Sequence, residues 1–318
     1  MMSDVRRGWS ALRTGALAAP ALAAAIVVAA LLPGTGSYAL WNGATTTDAG
    51  TVTAATVSVT ETMAPYLDVV FRSGRTSATG GVLVTNTSSV TASVTTVATL
   101  GPGSSGPLAA AISVLAWPTA STASCTASAV VPPTAYSATW ASAAGVPLTG
   151  TLGPAALGPG ASTGYCVRTT MNVASASGIA SGSAIDIAMT TTVSAGRTWS
   201  STATTGARQS FADDLAPSAP TALTASATAG SSDGVGLSWA AATDNVGVVG
   251  YDVYRSGAAA PIGSTSSTTF TDDGAAADTE YTYSVVARDA VGLTSPAATL
   301  VVGPTAAAPA SSPTPVTP

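Results

Sequence analysis

The sequence contains no histidine and no lysine, and all ten of its basic residues are arginine. Charged residues make up 8% of the 318, aromatic residues 5%, and there are two cysteines. Each shortage excludes something. Without His or Lys, the usual bases that activate a serine or cysteine nucleophile are missing. Glu61 and Glu280 are the only glutamates and stand far apart in the chain, so no paired-carboxylate glycosidase set can be nominated from them. Most aspartates sit in turn-like contexts. No Gly-rich phosphate loop follows a strand and opens a helix. The catalytic set is therefore expected to be empty and the protein non-enzymatic. Residues 40–318 carry seven Arg against fourteen acids, a net of −7, with no basic cluster, which argues against nucleic acid as a partner. With no His and no second cysteine pair, no Cys/His metal set can be assembled, and neither metal nor cofactor is expected.

Long apolar runs are equally scarce. The only one is Gly15 to Leu32. Arg6, Arg7 and Arg13 precede it, Pro33 and Gly34 end it, and Ser37-Tyr38-Ala39 places small residues at the −3 and −1 positions of a cut before Leu40. Residues 1–39 thus read as a signal peptide, the alternative being an uncleaved anchor, since about 18 apolar residues can just span a bilayer. A secreted or cell-surface location follows, with membrane contact only through that segment if it is retained.

From about residue 50 to 200, apolar residues alternate with Thr or Ser. Val57 to Thr60, Leu67 to Phe71, Val82 to Thr85, Val94 to Val97, Ile112 to Leu115 and Ile185 to Met189 are strand-like runs. Gly80-Gly81, Gly101 to Gly103, Pro132-Pro133 and Gly158 to Gly160 read as the turns between them. No ten-residue stretch of helical period competes, so a sandwich or jelly-roll over residues 40–210 is expected. Cys125 and Cys166 read as one disulfide in an exported chain, with two buried thiols as the alternative. Trp117, Trp140 and Trp199 fit either a sugar-binding face or a core otherwise built of Ala and Val. The Thr/Val-rich stretch Thr51 to Thr60 fits either pairing within its own unit or addition to a neighbour's sheet edge.

Two stretches carry resemblances. Gly34-Thr-Gly-Ser-Tyr38-Ala-Leu-Trp41-Asn42, followed by Ala49 to Ala54 and Val57 to Thr60, resembles the SipW-dependent signal peptide and mature start of the TasA/camelysin-like biofilm matrix proteins. The resemblance runs from Gly34 to Thr60 and no further. It implies cleavage after Ala39 and an extracellular-matrix role.

The second begins at Pro217-Ser-Ala-Pro220. Short alternating strands then follow at the spacing of a sandwich: Val235 to Trp239, Gly250 to Arg255, Phe270 to Asp272 and Thr279 to Asp289. Their order resembles the bacterial fibronectin type III modules appended to secreted polysaccharide-acting enzymes. The resemblance implies an Ig-like sandwich over residues 217–303 with a core of Leu223, Leu237, Trp239, Tyr251, Val253, Phe270, Tyr281, Tyr283 and Val285. It places Tyr281 at the tyrosine corner, its ring in the core and its hydroxyl returning to backbone. Eight acids in this unit (Asp233, Asp244, Asp252, Asp272, Asp273, Asp278, Glu280, Asp289) face Arg255 and Arg288, and read as a solvated face. Residues 211–216 read as a linker with hinge freedom, and 304–318 as an extended Pro/Ala/Thr-rich tail.

The overall expectation is an all-β chain of two tandem sandwiches behind a signal helix. Its role is structural or adhesive, with copies of itself or other surface proteins as partners. Cell-wall or extracellular polysaccharide is the other candidate partner, which would make the chain an accessory of polysaccharide degradation.

Overall fold

Val and Ile alternating with Thr and Ser favour a pleated chain with one buried face, because β-branched side chains lose little freedom there. Nineteen strands form among the residues described by the computed structural model: 38–41, 54–145, 147, 153–227, 234–276 and 279–303. All of these lie within one compact unit, residues 36–318. The expected signal segment up to residue 37 and the tail from 304 lie outside the described residues. The expected cut between Ala39 and Leu40 falls inside the first strand.

That strand, β1 (Tyr38–Trp41), pairs with β2 (Ala54–Val57) in a two-stranded sheet. The first sandwich follows. Its strands are β3 (Val59–Met63), β4 (Val69–Phe71), β5 (Ser77–Asn86), β6 (Ala92–Leu100), β7 (Ile112–Thr119), β8 (Tyr136–Thr139), β9 (Ala156–Leu157), β10 (Ser162–Met171), β11 (Ala184–Ala195) and β12 (Trp199–Phe211). One sheet runs β3-β5-β10-β7-β8 and the other β4-β12-β11-β6-β9. Neighbours are antiparallel except β4 and β12, which run parallel with Phe71 opposite Phe211. Burial in β11 alternates at every position, placing Ile185, Ile187, Met189 and Val193 inside. Val82, Val84, Tyr165, Val167 and Met171 meet them from the other sheet in a single cluster. In the described part of the Thr/Val-rich N-terminal stretch, residues 54–57 pair with β1, and Val59 and Thr60 open β3, which pairs with β5.

Two short helices interrupt the strands. In α1 (Gly106–Ala111) the Ser105 side chain caps the first turn, accepting from the Leu108 amide. In α2 (Trp140–Ala143) Thr139 and Ser142 cap each other reciprocally. The turn reading of Gly80-Gly81 is corrected: both lie inside β5, paired with Val167 and Cys166. They serve close approach instead of chain reversal. A Cβ on Gly81 would stand 2.5 Å from the Thr122 Cβ, and one on Gly80 would stand 2.9 Å from the Leu67 side chain.

The second sandwich contains β13 (Thr221–Ala227), β14 (Val235–Ala240), β15 (Val248–Arg255), β16 (Gly263–Thr265), β17 (Thr269–Asp272), β18 (Tyr281–Asp289) and β19 (Ala298–Val302). They form sheets β13-β14-β17 and β16-β15-β18-β19. Between the sheets, Leu237, Trp239, Tyr251, Val253, Tyr283 and Val285 are buried in one cluster, with Leu223, Phe270 and Tyr281 partly buried against it. The rings of Trp239 and Tyr251 meet edge to face at 5.3 Å. Tyr281 is less buried than its assigned place in the core implies, and the enclosed ring is that of Tyr283. The Tyr281 hydroxyl accepts the backbone N–H of Ala276 at 3.4 Å.

The segment joining the sandwiches bonds back to the first of them. The Ala212 amide donates to Phe71 O (2.9 Å) and the Asp213 amide to Ser181 Oγ (2.9 Å). Asp214 accepts from both the amide and the hydroxyl of Ser73, each at 2.8 Å, and these bonds hold its carboxyl below the usual range.

Candidate functional site

Two features of the first sandwich were open in the sequence, the cysteines and the tryptophans. Cys125 and Cys166 are bonded, with Sγ atoms 2.00 Å apart and a separation of 41 in sequence. With Trp117 they make a small core of their own on the outer side of the first sheet. Trp117 is 6% exposed and Trp140 is 3% exposed, its indole N–H donating to Gln209 Oε1 at 2.9 Å. Trp199 is partly buried against the main core. The core reading of the tryptophans therefore holds, and no sugar-stacking face of exposed tryptophans exists among these three.

The disulfide pins the segment after β7 flat on the sheet, where Gly81 and Gly164 leave room for Thr122. Arg168 then fastens it from the other side. Its Nε donates to Thr79 Oγ1 (3.0 Å), and Nη2 donates to the carbonyls of Thr126, Ala127 and Ala129 at 3.3, 3.0 and 2.7 Å. The guanidinium also lies over the Trp117 ring, 5.6 Å from its centroid. Along this pinned segment runs a groove of about 540 Å³. The start of β5 and the turn before β4 form its other wall, and Tyr66, Arg75, Ser77, Thr79, Thr122 and Thr126 supply its polar lining. Tyr66 is 67% exposed. An exposed aromatic ring ringed by hydroxyls and one guanidinium can stack on a flat apolar face and hydrogen-bond around its rim. Neither Tyr66 nor Arg168 stood out in the sequence, because each sits in an ordinary alternating or turn context.

Inside the sandwich, β3 turns Glu61 toward the opposite sheet. Its carboxylate oxygens are closed off from solvent, and Thr191 approaches without completing a hydrogen bond of good geometry. Burial outweighs that neighbour, pushing the carboxyl up to about 7. Thr191 and Thr96 share a buried hydrogen bond of 2.7 Å. Tyr165, fully buried, has its hydroxyl pushed upward chiefly by burial, with Thr163 opposing and the Glu61 charge adding to the rise. With both oxygens buried, this carboxyl has no access to a substrate.

The acids of the second sandwich do not form one solvated face. Asp272 is buried and holds Arg255 Nη1 and the Tyr283 hydroxyl, both at 2.8 Å on Oδ2. Burial, then that bond, raises the Tyr283 hydroxyl. Asp252 is paired with Arg288 (3.4 Å) and Ser264 (2.6 Å). Asp289 is 1% exposed, whereas Asp273 and Glu280 are exposed. Asp233 and Asp278 lie outside the described residues.

No protein-family model matches the chain. Curated relatives match a part of it. Over 95 residues the chain is 50% identical to Chitinase A1 of Niallia circulans, covering 30% of this chain and 13% of that protein. Over 117 residues it is 40% identical to Exoglucanase B of Cellulomonas fimi, covering 33% and 10%. Chitinase Chi52 of Paenibacillus xylanexedens is 48% identical over 87 residues, covering 27% and 16%. The shared part is a fibronectin type III-like module. Its length is about that of the second sandwich, and the chain spans about a sixth or less of each of these relatives. Among solved structures, Chitinase ChiA74 from Bacillus thuringiensis matches at 31% identity and a TM-score of 0.26 over 28% of this chain and 13% of that one. A structure titled FN3tt mut matches at 20% identity and a TM-score of 0.25, over 28% of this chain and 97% of that one. The protein is extracellular: its cysteines are bonded, as an oxidising compartment allows, and it shares a module with chitinases and an exoglucanase. No helix among the described residues is long and apolar enough to cross a membrane.

Proposed function

We propose that this is a non-catalytic surface or matrix protein in which the first sandwich makes the contact and the fibronectin type III-like module serves as spacer. The observation that carries this reading is the groove beside the disulfide, with Tyr66 exposed above a floor that Cys125–Cys166 and Arg168 hold in one shape. Preorganised, hydroxyl-lined and mildly apolar, it suits a neutral polysaccharide or a loop of another surface protein better than a charged ligand. The start resembling TasA/camelysin-like matrix proteins supports the surface assignment, as does the proposed division into a leader (1–39), a contact domain (40–210), a linker (211–216), a module (217–303) and a tail (304–318).

A second reading makes the protein an accessory of polysaccharide degradation. It is favoured by the module shared with chitinases and an exoglucanase. One experiment separates the two. The purified protein and its Tyr66→Ala variant are incubated with chitin, cellulose and isolated cell wall, and the self-association of each is followed by size exclusion and electron microscopy. Retention on a glycan that falls at least ~10-fold in the variant, about 1.4 kcal/mol, supports a glycan-contacting groove. Self-association lost in the variant supports a matrix role. No retention on any of the three and a strictly monomeric variant and parent would remove both.

A further inference from the structure

We infer that the junction between the two sandwiches is a binding site for one calcium-sized divalent cation, formed by Asp213, Asp244, Asn245 and Asp289. Asp213 belongs to the connecting segment, Asp244 and Asn245 to the loop after β14, and Asp289 to the end of β18. One carboxylate oxygen from each aspartate lies within 4.8 Å of the other two. The chain has no Lys or His to neutralise them, and the arginine ion pairs formed among the described residues go to Asp186, Asp272 and Asp252 instead.

Proximity of acids alone would prove little; the orphaned oxygens are the independent sign. Asp289 is 1% exposed. Its Oδ1 accepts the amides of Val291 (2.9 Å) and Leu293 (2.8 Å), which fix the carboxylate, and its buried Oδ2 has no donor. Asp244 repeats the pattern: Oδ2 accepts from the amides of Val246 (2.9 Å) and Gly247 (2.8 Å), and buried Oδ1 has none. Asn245 donates through Nδ2 to Asp213 Oδ1 and to Val173 O, each at 3.1 Å, while its buried Oδ1 is unmatched. Asp289, Asp244 and Asn245 are thus each anchored by one polar atom and each keep a buried oxygen without a donor. One carboxylate oxygen of each of the two aspartates lies within 4.8 Å of the other and of Asp213. Buried acceptors without donors are rare in folded proteins, and a hard cation with an all-oxygen shell satisfies all of them at once. Carboxylates mixed with an amide oxygen in irregular geometry suit Ca²⁺ better than Mg²⁺, which demands a strict octahedron. A shallow pocket lined by Leu215, Ser218, Thr243, Asp244 and Asn245 opens the region to solvent.

The site would draw the connecting segment and two loops of the module onto one ion, with Asn245 also bonded to Val173 of the first sandwich. Calcium would then stiffen the joint. The test uses the purified protein stripped with EDTA. It is titrated with CaCl₂ and, separately, MgCl₂ by calorimetry, followed by thermal unfolding and limited proteolysis with and without metal. The expected result is one Ca²⁺ per chain with Kd in the range of about 10⁻⁴–10⁻³ M common to extracellular modules. An upward shift in melting temperature and slower cleavage at residues 211–216 should accompany it. Asp289→Asn and Asp213→Asn should each weaken binding at least ~10-fold, whereas Glu280→Gln, an exposed acid outside the cluster, should leave it unchanged. If Asp289→Asn fails to fold, Asp213→Asn, in the half-exposed segment, decides alone. No heat and no stabilisation with Ca²⁺, or equal weakening by Glu280→Gln, would overturn the inference.

Discussion

Replacing Glu61 with Gln tests the physical account of the first sandwich most directly. The carboxyl sits near 7 in the folded chain against an ordinary value of 4.5. The sign follows from proton counting. Between pH 4.5 and 7 the folded state keeps a proton that the unfolded chain has lost, so stability falls as pH rises, by ~1.4 kcal/mol per unit. Below 4.5 both states are protonated and nothing is lost; above 7 the loss is complete. The whole interval would amount to about 3.4 kcal/mol, and since Glu61 is only partly buried, solvent screening trims this to about 2 kcal/mol. The background is unusually clean. The chain has no His and no Lys, and its cysteines are bonded. Asp214, whose carboxyl is depressed, acts in the opposite sense and only below the ordinary carboxylate range. Urea unfolding followed by tryptophan fluorescence at pH 5 and pH 8 should therefore show the first sandwich losing most of that increment on the alkaline side. The Glu61→Gln protein should be nearly flat over the same range and more stable than wild type at pH 8. A wild-type midpoint that does not move between pH 5 and 8 would refute the reasoning.

Two further outcomes follow from the packing. Asp272→Ala strips the partners from the Arg255 guanidinium and the buried Tyr283 hydroxyl together, and should destabilise the second sandwich by about 3 kcal/mol, measured as a lowered chemical midpoint. Gly81→Ala drives a methyl into Thr122 at 2.5 Å and should cost about 1–3 kcal/mol. Thermal unfolding under oxidising conditions reads this, since reduction would free the segment that the methyl displaces.

Alternation made much of the fold legible. In β18 the positions Tyr283, Val285 and Ala287 share one face, and the buried pattern follows them without a break. The same parity carries the inward acids, had it been read through them. Asp289 is the next member of that face, Asp272 stands on the same face of β17 as Phe270, and Glu61 continues Val57 and Val59. A charged letter on an apolar parity looks like the end of the buried face, yet Asp272 and Asp289, each the last residue of its strand, are still buried. Gly80-Gly81 misled for the opposite reason. A residue that permits turns also permits contact, and only the arrival of Thr122 from a later, separate segment distinguishes the two. The cluster of Asp213, Asp244 and Asp289 is invisible to any local pattern, because its members come from a connecting segment and two separate loop ends.

The parallel pairing of β4 with β12 sets an order of events for a chain made N-terminus first. Phe71, near the start of the first sandwich, meets Phe211 at its very end, and β11 and β12 form a hairpin in that same final stretch. Until that hairpin has emerged, β4 has no strand to lie against and the second sheet lacks its centre. Closure of the first sandwich is therefore the last step of its own synthesis, a long-range contact of the kind that slows folding. Once it is made, the very next residue, Ala212, bonds back to Phe71. The fibronectin-like module thus starts to fold from a base that has only just been completed.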